Sequence, residues 1–347
     1  MMERVVPQAV TVSPWRARSE WIAFAVMVVA LLIAPFLVYP LFVMQALCFA
    51  LFACAFNLLI GCVGLLSFGH ALYFGWGSYL AAHAAKVWGF PPELAILTGT
   101  LTGTIAGVIA GSLAIRRQGI YFAMITLALA QMMFFFALQA KFTGGEDGIQ
   151  AVPRGWLFGL IDLREEMAMY IVVLVIFLAG FLFIRRIIHS PFGEVLKAIR
   201  ENEQRVISLG YNTGRIKLIA FVISAAVSGL AGGTKTLVLQ LVTLNDVSWT
   251  VSGDVLLMLL IGGIGTVLGP IYGAVVLVAA QDYLASFGSW VLVIQGAIFV
   301  FCVLFLRGGI AGALEELARR FSRGRHRRRS DAVTATRSAA AAKDAAG

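Results

Sequence analysis

Four titratable side chains fall inside long apolar runs of the sequence, where a charge is costly: His70, Lys235, Asp254 and Asp282. Groups in such places either pair with one another as structural ion pairs or relay protons and other ions across a membrane. Lys235, Asp254 and Asp282 fall toward the same ends of three predicted membrane spans. We therefore expect Lys235 to form an ion pair with one of the two aspartates.

His70 belongs to the stretch GCVGLLSFGHALYFGWGSYLAAH, residues 61–83, which holds much glycine for an apolar helix. Gly61, Gly64 and Gly69 precede the histidine and indicate a turn or a broken helix start, because glycine weakens helices. The imidazole is either a packed side chain bonded to a backbone carbonyl or a group on a transport pathway. The structural interpretation is favoured, because intramembrane ionisable groups usually face the protein interior.

The segment LIGCVG at 59–64 has a counterpart in LIGGIG at 260–265. Glycine-interrupted apolar segments at corresponding places in two halves are typical of the substrate pathway in transporters built from repeats. A chance echo in a chain rich in glycine, isoleucine and leucine is the alternative. On the first interpretation the candidate pathway residues are Ser67, Gly69, His70, Gly262, Gly263 and Gly265.

Motifs for making or breaking bonds are missing around these residues. The segment GLAGGTKT at 229–236 departs from the G-x-x-x-x-G-K-[ST] spacing of a phosphate-binding loop and falls in an apolar run. His70 has no companion at H-E-x-x-H spacing, and the four cysteines show no metal-binding spacing. We therefore expect no catalytic residue, no metal and no cofactor on this chain, and an energy source outside it.

The composition predicts a membrane protein. Of 347 residues, 60% are hydrophobic and 13% are charged, against about 25% charged in soluble domains. Apolar runs of about 20 residues, long enough to cross a bilayer as helices, recur along the chain. They predict an all-α transmembrane bundle of about ten spans, at 21–39, 41–60, 63–86, 94–115, 119–140, 168–188, 217–240, 250–268, 270–287 and 290–306.

Lysine and arginine set the predicted orientation, since cytoplasmic loops carry an excess of positive charge. Both termini are expected in the cytoplasm, with residues 1–20 preceding a transmembrane domain at 21–310. The connection at 141–167 is then periplasmic and the loop at 189–216 cytoplasmic. Residues 311–347 form a basic, low-complexity tail, which we interpret as a disordered end near anionic lipid rather than a nucleic-acid-binding segment.

Small residues recur at every fourth position of one apolar run, at Gly99, Gly103, Gly107 and Gly111. Residues four apart share one helix face. A face of glycines lets a second helix backbone approach closely, which is how helices associate in lipid. The pattern predicts tight helix packing and carries no information about a substrate.

The cytoplasmic loop contains one predicted amphipathic helix. Ser190 can cap its start and Gly210 suits its end. Apolar side chains recur on one face, while Lys197 with Glu201 and Glu201 with Arg205 form pairs four apart on the other. Such a helix either lies on the membrane surface or docks into a groove of a cytoplasmic partner.

Five segments, in order over residues 50–310, carry a family pattern: NLLIGCVGLLSFGHALYFGWGSYLAA, GIYFAMITLALAQ, TGGEDGIQAVPR, SPFGEVLKAIRENEQRVISLGYNTGRIKLIAFVISAAVSGLAGG and LLIGGIGTVLGPIYGAVV. Together they resemble the inner-membrane permease subunits of branched-chain amino-acid ABC importers. The likeness is to the longer member of the usual permease pair. It covers most of the chain.

This resemblance implies a transport subunit of a bacterial inner membrane that is not itself an enzyme. Its implied partners are a second permease, two cytoplasmic ABC ATPases that use ATP, and a periplasmic substrate-binding protein. The TGGEDG segment would belong to the periplasmic loop near that binding protein. The residues implied for a coupling helix that contacts the ATPases are Ser190, Pro191, Phe192, Glu194, Lys197, Arg200, Glu201 and Gly210.

The implied cargo is a branched-chain amino acid. The segment TKTLVLQLVTLNDVSW at 234–249 departs from the small apolar residues expected there. Related permeases also carry urea, short amides and other small acids, so these stay open as cargo. An ion-coupled secondary transporter that uses His70, Asp254 or Asp282 is the alternative function. The predicted docking helix distinguishes the two, because a self-sufficient symporter does not need one.

Overall fold

The computed structural model of the chain describes residues 14–159 and 161–284 and a few isolated positions between 293 and 312. Most of this part of the chain is helical. The α-helices are α1 (Pro14–Leu37), α2 (Pro40–Asn57), α3 (His70–Lys86), α4 (Pro92–Ala114), α5 (Ile120–Gln139), α6 (Glu166–Ile188), α7 (Pro191–Ser208), α8 (Thr213–Leu239), α9 (Trp249–Gly262) and α10 (Gly269–Leu284). A π-helix (Leu58–Val63), two 3-10 helices (Lys141–Thr143 and Leu244–Val247) and four two-residue strands, β1 (Ile149–Gln150), β2 (Trp156–Leu157), β3 (Ile161–Asp162) and β4 (Leu241–Val242), complete the described elements.

Within the described residues, five helical segments are long and apolar enough to cross a membrane: α2 with its π-helical extension, α4, α5, α6 and α8. The first of these is the centre of the subunit, because nearly all of its residues are buried and it packs against α6, α8 and α10. By contrast, more than half of the residues of α4 and α5 are only partly buried or exposed. Exposed apolar helices of this kind are expected to face lipid or another subunit.

Two predicted spans need correction where the chain carries glycine. The third, predicted at 63–86, is helical only from His70, and the helix of the eighth, predicted at 250–268, ends at Gly262. The 14 residues of α9 rise only about 21 Å, less than a hydrocarbon core of about 30 Å. Glycines end the helical hydrogen-bond ladder in both places, which hydropathy does not register. The predicted tenth span at 290–306 and the basic tail fall almost entirely outside the described residues.

The glycine stripe of α4 packs against α8. A methyl group on Gly103 would lie 2.5 Å from the carbonyl oxygen of Ala225 and 3.0 Å from Cα of Gly229. A methyl group on Gly229 would lie 2.5 Å from the carbonyl oxygen of Gly99. Gly77 brings α3 to the same point, since a methyl group there would lie 2.7 Å from Cα of Gly229. We call Gly77, Gly99, Gly103 and Gly229 the glycine junction of α3, α4 and α8.

The other two glycines of the stripe extend this contact along α8. A methyl group on Gly107 would lie 2.5 Å from the Cβ of Ala225. One on Gly111 would meet the ends of the Leu218 and Phe221 side chains, each at 2.8 Å. The whole stripe predicted from the sequence therefore faces α8, and at Gly99 it also meets Gly77 of α3.

The connection between α5 and α6 is fastened to the end of α8. β1 pairs antiparallel with β4, which follows α8 directly. Arg154 donates hydrogen bonds to the backbone carbonyls of Leu237 (3.1 Å) and Val238 (2.6 Å). These carbonyls belong to the last turn of α8, where no helical partner remains. The segment predicted to lie outside the membrane thus caps α8.

Candidate functional site

The first feature of the site is a break between α2 and α3. After α2 the chain widens into the π-helix Leu58–Val63, and Gly64 follows with φ of +80°, which favours glycine. The chain then runs without α-helix to His70. Gly69 is packed so tightly that a methyl group there would strike the carbonyl group of Thr126. We call residues 58–69 the first glycine break.

A second break separates α9 from α10. Gly263 and Gly265 have φ of +111° and +80°, and a methyl group on Gly262 would strike the carbonyl oxygen of Gly269. Thr266 organises this turn: its hydroxyl donates to the carbonyl of Gly263 at 2.8 Å and accepts from the amide of Gly269 at 3.1 Å. We call residues 262–268 the second glycine break.

The two breaks meet, so the structure brings the LIGCVG and LIGGIG segments together. The buried Asn57 side chain donates from Nδ2 to the carbonyl of Thr266 at 2.8 Å and accepts at Oδ1 from the amide of Gly265 at 2.9 Å. A methyl group on Gly61 would lie 2.9 Å from Cα of Gly265. Sequence reasoning missed Asn57, although a lone amide at the end of an apolar run was the available signal.

The loop helix α7 forms where the sequence predicts it. Ser190 caps its start by accepting from the amide of Gly193 at 3.3 Å, and Pro191 occupies the first helical position. Asn202 has non-helical backbone angles and divides α7 into two segments. Its side chain accepts from the amide of Arg205 at 3.1 Å and so caps the second segment. The prediction of one continuous helix is therefore wrong at Asn202.

Polar contacts fix α7 to three other parts of the subunit. Arg200 donates from its guanidinium group to the carbonyl of Gly61 in the first glycine break. Glu203 pairs with Lys217 of α8 at 2.6 Å and accepts from the side chain of Gln118, between α4 and α5, at 2.7 Å. Leu196 and Ile199 are buried on the inner face of α7. This helix is therefore packed onto the subunit, with a polar face left exposed.

Neither ion pair predicted on α7, Lys197 with Glu201 or Glu201 with Arg205, forms among the described residues. Lys197 pairs with Glu194 at 2.7 Å and not with Glu201. Positions three and four residues away both lie within reach of a helical lysine, and an exposed pair is free to use either. The remaining coupling-helix residues predicted from the family, Phe192, Glu201 and Gly210, lie at the start, middle and end of the α7 region, and Gly210 has φ of +89°.

His70 lies in the interior of the subunit, at the first turn of α3. Its Nε2 is 2.8 Å from the hydroxyl of Ser224, which itself donates to the carbonyl of Ala55 at 2.6 Å. Because the single hydroxyl proton goes to Ala55, Nε2 of the imidazole carries the hydrogen and donates it. Aromatic rings from α2, α3 and α8 surround the imidazole: Phe52, Phe56, Tyr73 and Phe221.

This geometry makes His70 a bridge between three helices. It agrees with the packed imidazole of the structural interpretation, but the hydrogen-bond partner is the hydroxyl of Ser224 and not the expected backbone carbonyl. The pathway role of Ser67, Gly69 and His70 stays a prediction. Within the part of the chain that the structure describes, no group of His, Cys, Asp or Glu side chains is arranged to hold a metal ion.

The expected pairing of Lys235 with Asp254 or Asp282 is wrong. Lys235 forms a buried ion pair with Asp246, in the 3-10 helix between α8 and α9. Asp246 also accepts from the backbone amide of Thr243 at 3.1 Å. The prediction failed because Asp246 follows α8 closely in a connection that folds back on it, whereas spacing along the spans suggested partners in α9 and α10. Asp254 instead accepts from the side chain of Gln281 at 3.1 Å.

Comparison with known proteins identifies relatives of this chain. The family described as "Branched-chain amino acid transport system / permease component" matches residues 39–303. The high-affinity branched-chain amino acid transport system permease protein LivM of Salmonella typhimurium is 26% identical across 73% of this chain and 65% of its own length. LivM of Escherichia coli gives the same figures of 26%, 73% and 65%.

A third relative matches a shorter part of the chain. The probable branched-chain amino acid transport permease protein LivM of Methanocaldococcus jannaschii is 32% identical over 35% of this chain and 32% of its own length. The chain thus spans 65% of the length of the two bacterial relatives. No solved structure gives a significant match. Because the family match runs from residue 39 to residue 303 and takes in both glycine breaks and α7, the chain belongs to the permease component family of branched-chain amino acid transport systems.

Proposed function

We propose that this protein is a membrane permease subunit of an ABC importer and that it carries branched-chain amino acids, or a related small amino acid or amide, across the bacterial inner membrane. Its proposed partners are a second permease, two cytoplasmic ATPases and a periplasmic binding protein. Family membership supports the class of transporter. The names of the bacterial relatives support branched-chain amino acids as cargo.

The observation that carries this proposal is the position of α7. It joins two long apolar helices, α6 and α8, buries Leu196 and Ile199 against the subunit, and leaves a charged face exposed. Its inner side reaches the first glycine break through Arg200. A helix of this kind has one surface for an external partner and another that contacts the interrupted membrane helices. Partner proteins recognise helices by binding their exposed face in a groove. The exposed face of α7 would therefore let a separate ATPase subunit bind it and move it.

The proposed mechanism is alternating access. The binding protein delivers the amino acid to a path between the two permeases, and ATP binding and hydrolysis in the partner subunits displace α7. The glycine breaks interrupt helices that we expect to lie in the membrane. Irregular backbone is tolerated there where it is enclosed by protein or lines a cavity. The membrane helices then open the path alternately to the two sides. This chain makes and breaks no covalent bond in the cycle.

Reconstitution tests this function. The chain is co-purified with its proposed partners, a second permease, two ATPases and a binding protein, and the complex is placed in vesicles with ATP on the ATPase side. We expect uptake of radiolabelled leucine that requires ATP and the binding protein. A complex whose ATPases bind but do not hydrolyse ATP is the control. Uptake by this chain alone, driven by a proton or sodium gradient without ATPases, would overturn the proposal in favour of a secondary transporter.

A further inference from the structure

We propose that Arg200 and Asn57 form a relay that moves the two glycine breaks together when α7 is displaced. Both side chains are then positioning residues, because they hold the two breaks in a fixed relation to α7. This role is separate from any contact that Arg200 makes with a partner subunit. This proposal rests on the proposed function, because it assumes that α7 is driven by a separate ATPase. The relay is the connection inside this chain through which a movement of α7 reaches the membrane helices.

The first link of the relay is Arg200. Its guanidinium group donates to the carbonyl of Gly61, in the π-helical part of the first break. Its aliphatic stem lies over Gly64, where an added methyl group would come within 3.1 Å of Cγ of Arg200. An added methyl group on Gly265, in the second break, would be 3.6 Å from Nη1. One side chain of α7 therefore borders both breaks.

The second link is Asn57. A buried amide is retained only where its donors and acceptors are satisfied, and Asn57 uses both ends of its amide on the second break, at Gly265 and Thr266. Because Asn57 is the last residue of α2 and Gly61 lies one turn later, the two links are carried by adjacent turns. A shift of the Gly61 turn is therefore passed to Gly265 through a fixed pair of hydrogen bonds.

Open space adjoins the Arg200 side chain, so its position depends on its hydrogen bond to Gly61. Arg200 lines a cavity of about 470 Å³ together with Gly64, Glu203 and Lys217. It also lines a second cavity of about 510 Å³ together with Gly61, Lys197 and Gly265. Since open space flanks the side chain, tight packing does not hold it in place. The charge-assisted bond to Gly61 does.

The backbone on either side of the relay is able to move as hinges do. Gly64, Gly263 and Gly265 all have positive φ, and Gly64 and Gly263 are the residues at which the π-helix and α9 end. Residues that absorb large changes in backbone angles lie at the ends of elements and are often small. Pulling on Gly61 would thus rotate α3 and α10 relative to α2 without unfolding any helix.

The test uses the full reconstituted complex with the binding protein and leucine as cargo. Arg200→Met keeps the aliphatic stem and removes every donor, and Arg200→Lys keeps one charged donor. We expect Arg200→Met to lower ATP-driven uptake about tenfold, the size expected for one lost charge-assisted hydrogen bond, and to lower uptake per ATP hydrolysed. We expect Arg200→Lys to restore uptake to within about threefold of the parent. The matched control is Arg117→Met, on an exposed arginine between α4 and α5.

A double-mutant cycle separates a relay from two independent structural roles. If Arg200 and Asn57 act in series, Arg200→Met combined with Asn57→Ala reduces uptake no more than the worse single variant. Asn57→Ser, which replaces the amide by one hydroxyl, is used instead of Asn57→Ala if the latter complex does not assemble. Losses that multiply in the double variant, or Arg200→Met matching Arg117→Met in uptake per ATP, would overturn the relay. A parent complex without ATP-driven uptake would instead contradict the proposed function, so the two failures are distinguishable.

Discussion

Replacing Lys235 with Met is expected to lower the free energy of unfolding of the isolated subunit by about 3–5 kcal/mol, the cost of leaving one member of a buried ion pair without its partner. Both side chains of the Lys235–Asp246 pair are less than a tenth exposed. The ammonium group also lies over the ring of Phe74, 5.8 Å from its centroid. Without the ammonium group of Lys235, the carboxylate of Asp246 would be buried with no positive partner. The 3-10 helix that contains Asp246 and leads into α9 would then be held less firmly.

The double variant Lys235→Met with Asp246→Asn is expected to recover most of this loss. No uncompensated charge is left in it, and the asparagine oxygen can still accept from the amide of Thr243. Unfolding can be followed with a thiol-reactive dye in detergent, because Cys48, Cys54 and Cys62 are buried in the folded chain. Lys141→Met, at an exposed lysine, is the control. A double variant as unstable as Lys235→Met would show that the charge pair is not what matters.

The second large effect is expected at the glycine junction. Gly103→Val should lower the free energy of unfolding by about 1–3 kcal/mol or more, as overpacking of a tight core does. The atoms that a new side chain would meet, in Ala225 and Gly229, are backbone atoms of α8. They cannot turn aside as a flexible side chain could, so α4 and α8 would have to separate.

Gly253→Ala supplies the matched control for this experiment. Gly253 lies in the helix α9, and a methyl group there meets nothing within 4 Å. Alanine is a better helix former than glycine by about 1 kcal/mol, so this change should leave stability equal or raise it. Thermal unfolding of both variants, followed with the same thiol-reactive dye, measures the two changes in stability. Equal losses at the two positions would mean that glycine content, and not close helix approach, sets stability.

Local patterns predicted the features that depend on local spacing. The stripe from Gly99 to Gly111 faces α8, and Ser190 caps a helix that begins at Pro191. Both predictions follow from residues within one or two helical turns. The family resemblance is confirmed by the match over residues 39–303. Exact span ends were not predicted, because π-helical widening and positive φ at glycine leave no mark in hydropathy.

Contacts between distant segments could not be derived from spacing. Asn57 and Thr266 lie 209 positions apart in sequence, and Arg200 and Gly61 lie 139 apart. Nothing in the sequence assigned Asp246 rather than Asp254 to Lys235, since three-dimensional proximity decides which charges meet. The echo between LIGCVG and LIGGIG was a long-range signal, and the two segments lie in contact in the structure. Their interpretation as halves of a repeat stays a prediction.

The central claim is that α7 lies in the cytoplasm and is bound there by an ATPase subunit. The most direct test is to measure on which side of the membrane α7 is accessible. A single cysteine is introduced at Ala198, an exposed residue of α7, after Cys302 is replaced by Ser, and intact cells are treated with a membrane-impermeant thiol reagent. Glu146→Cys, in the connection between α5 and α6, is the comparison. We expect Glu146→Cys to react in intact cells and Ala198→Cys to react only after the membrane is opened. Reaction of Ala198→Cys in intact cells would contradict the account, because no cytoplasmic ATPase could then reach α7.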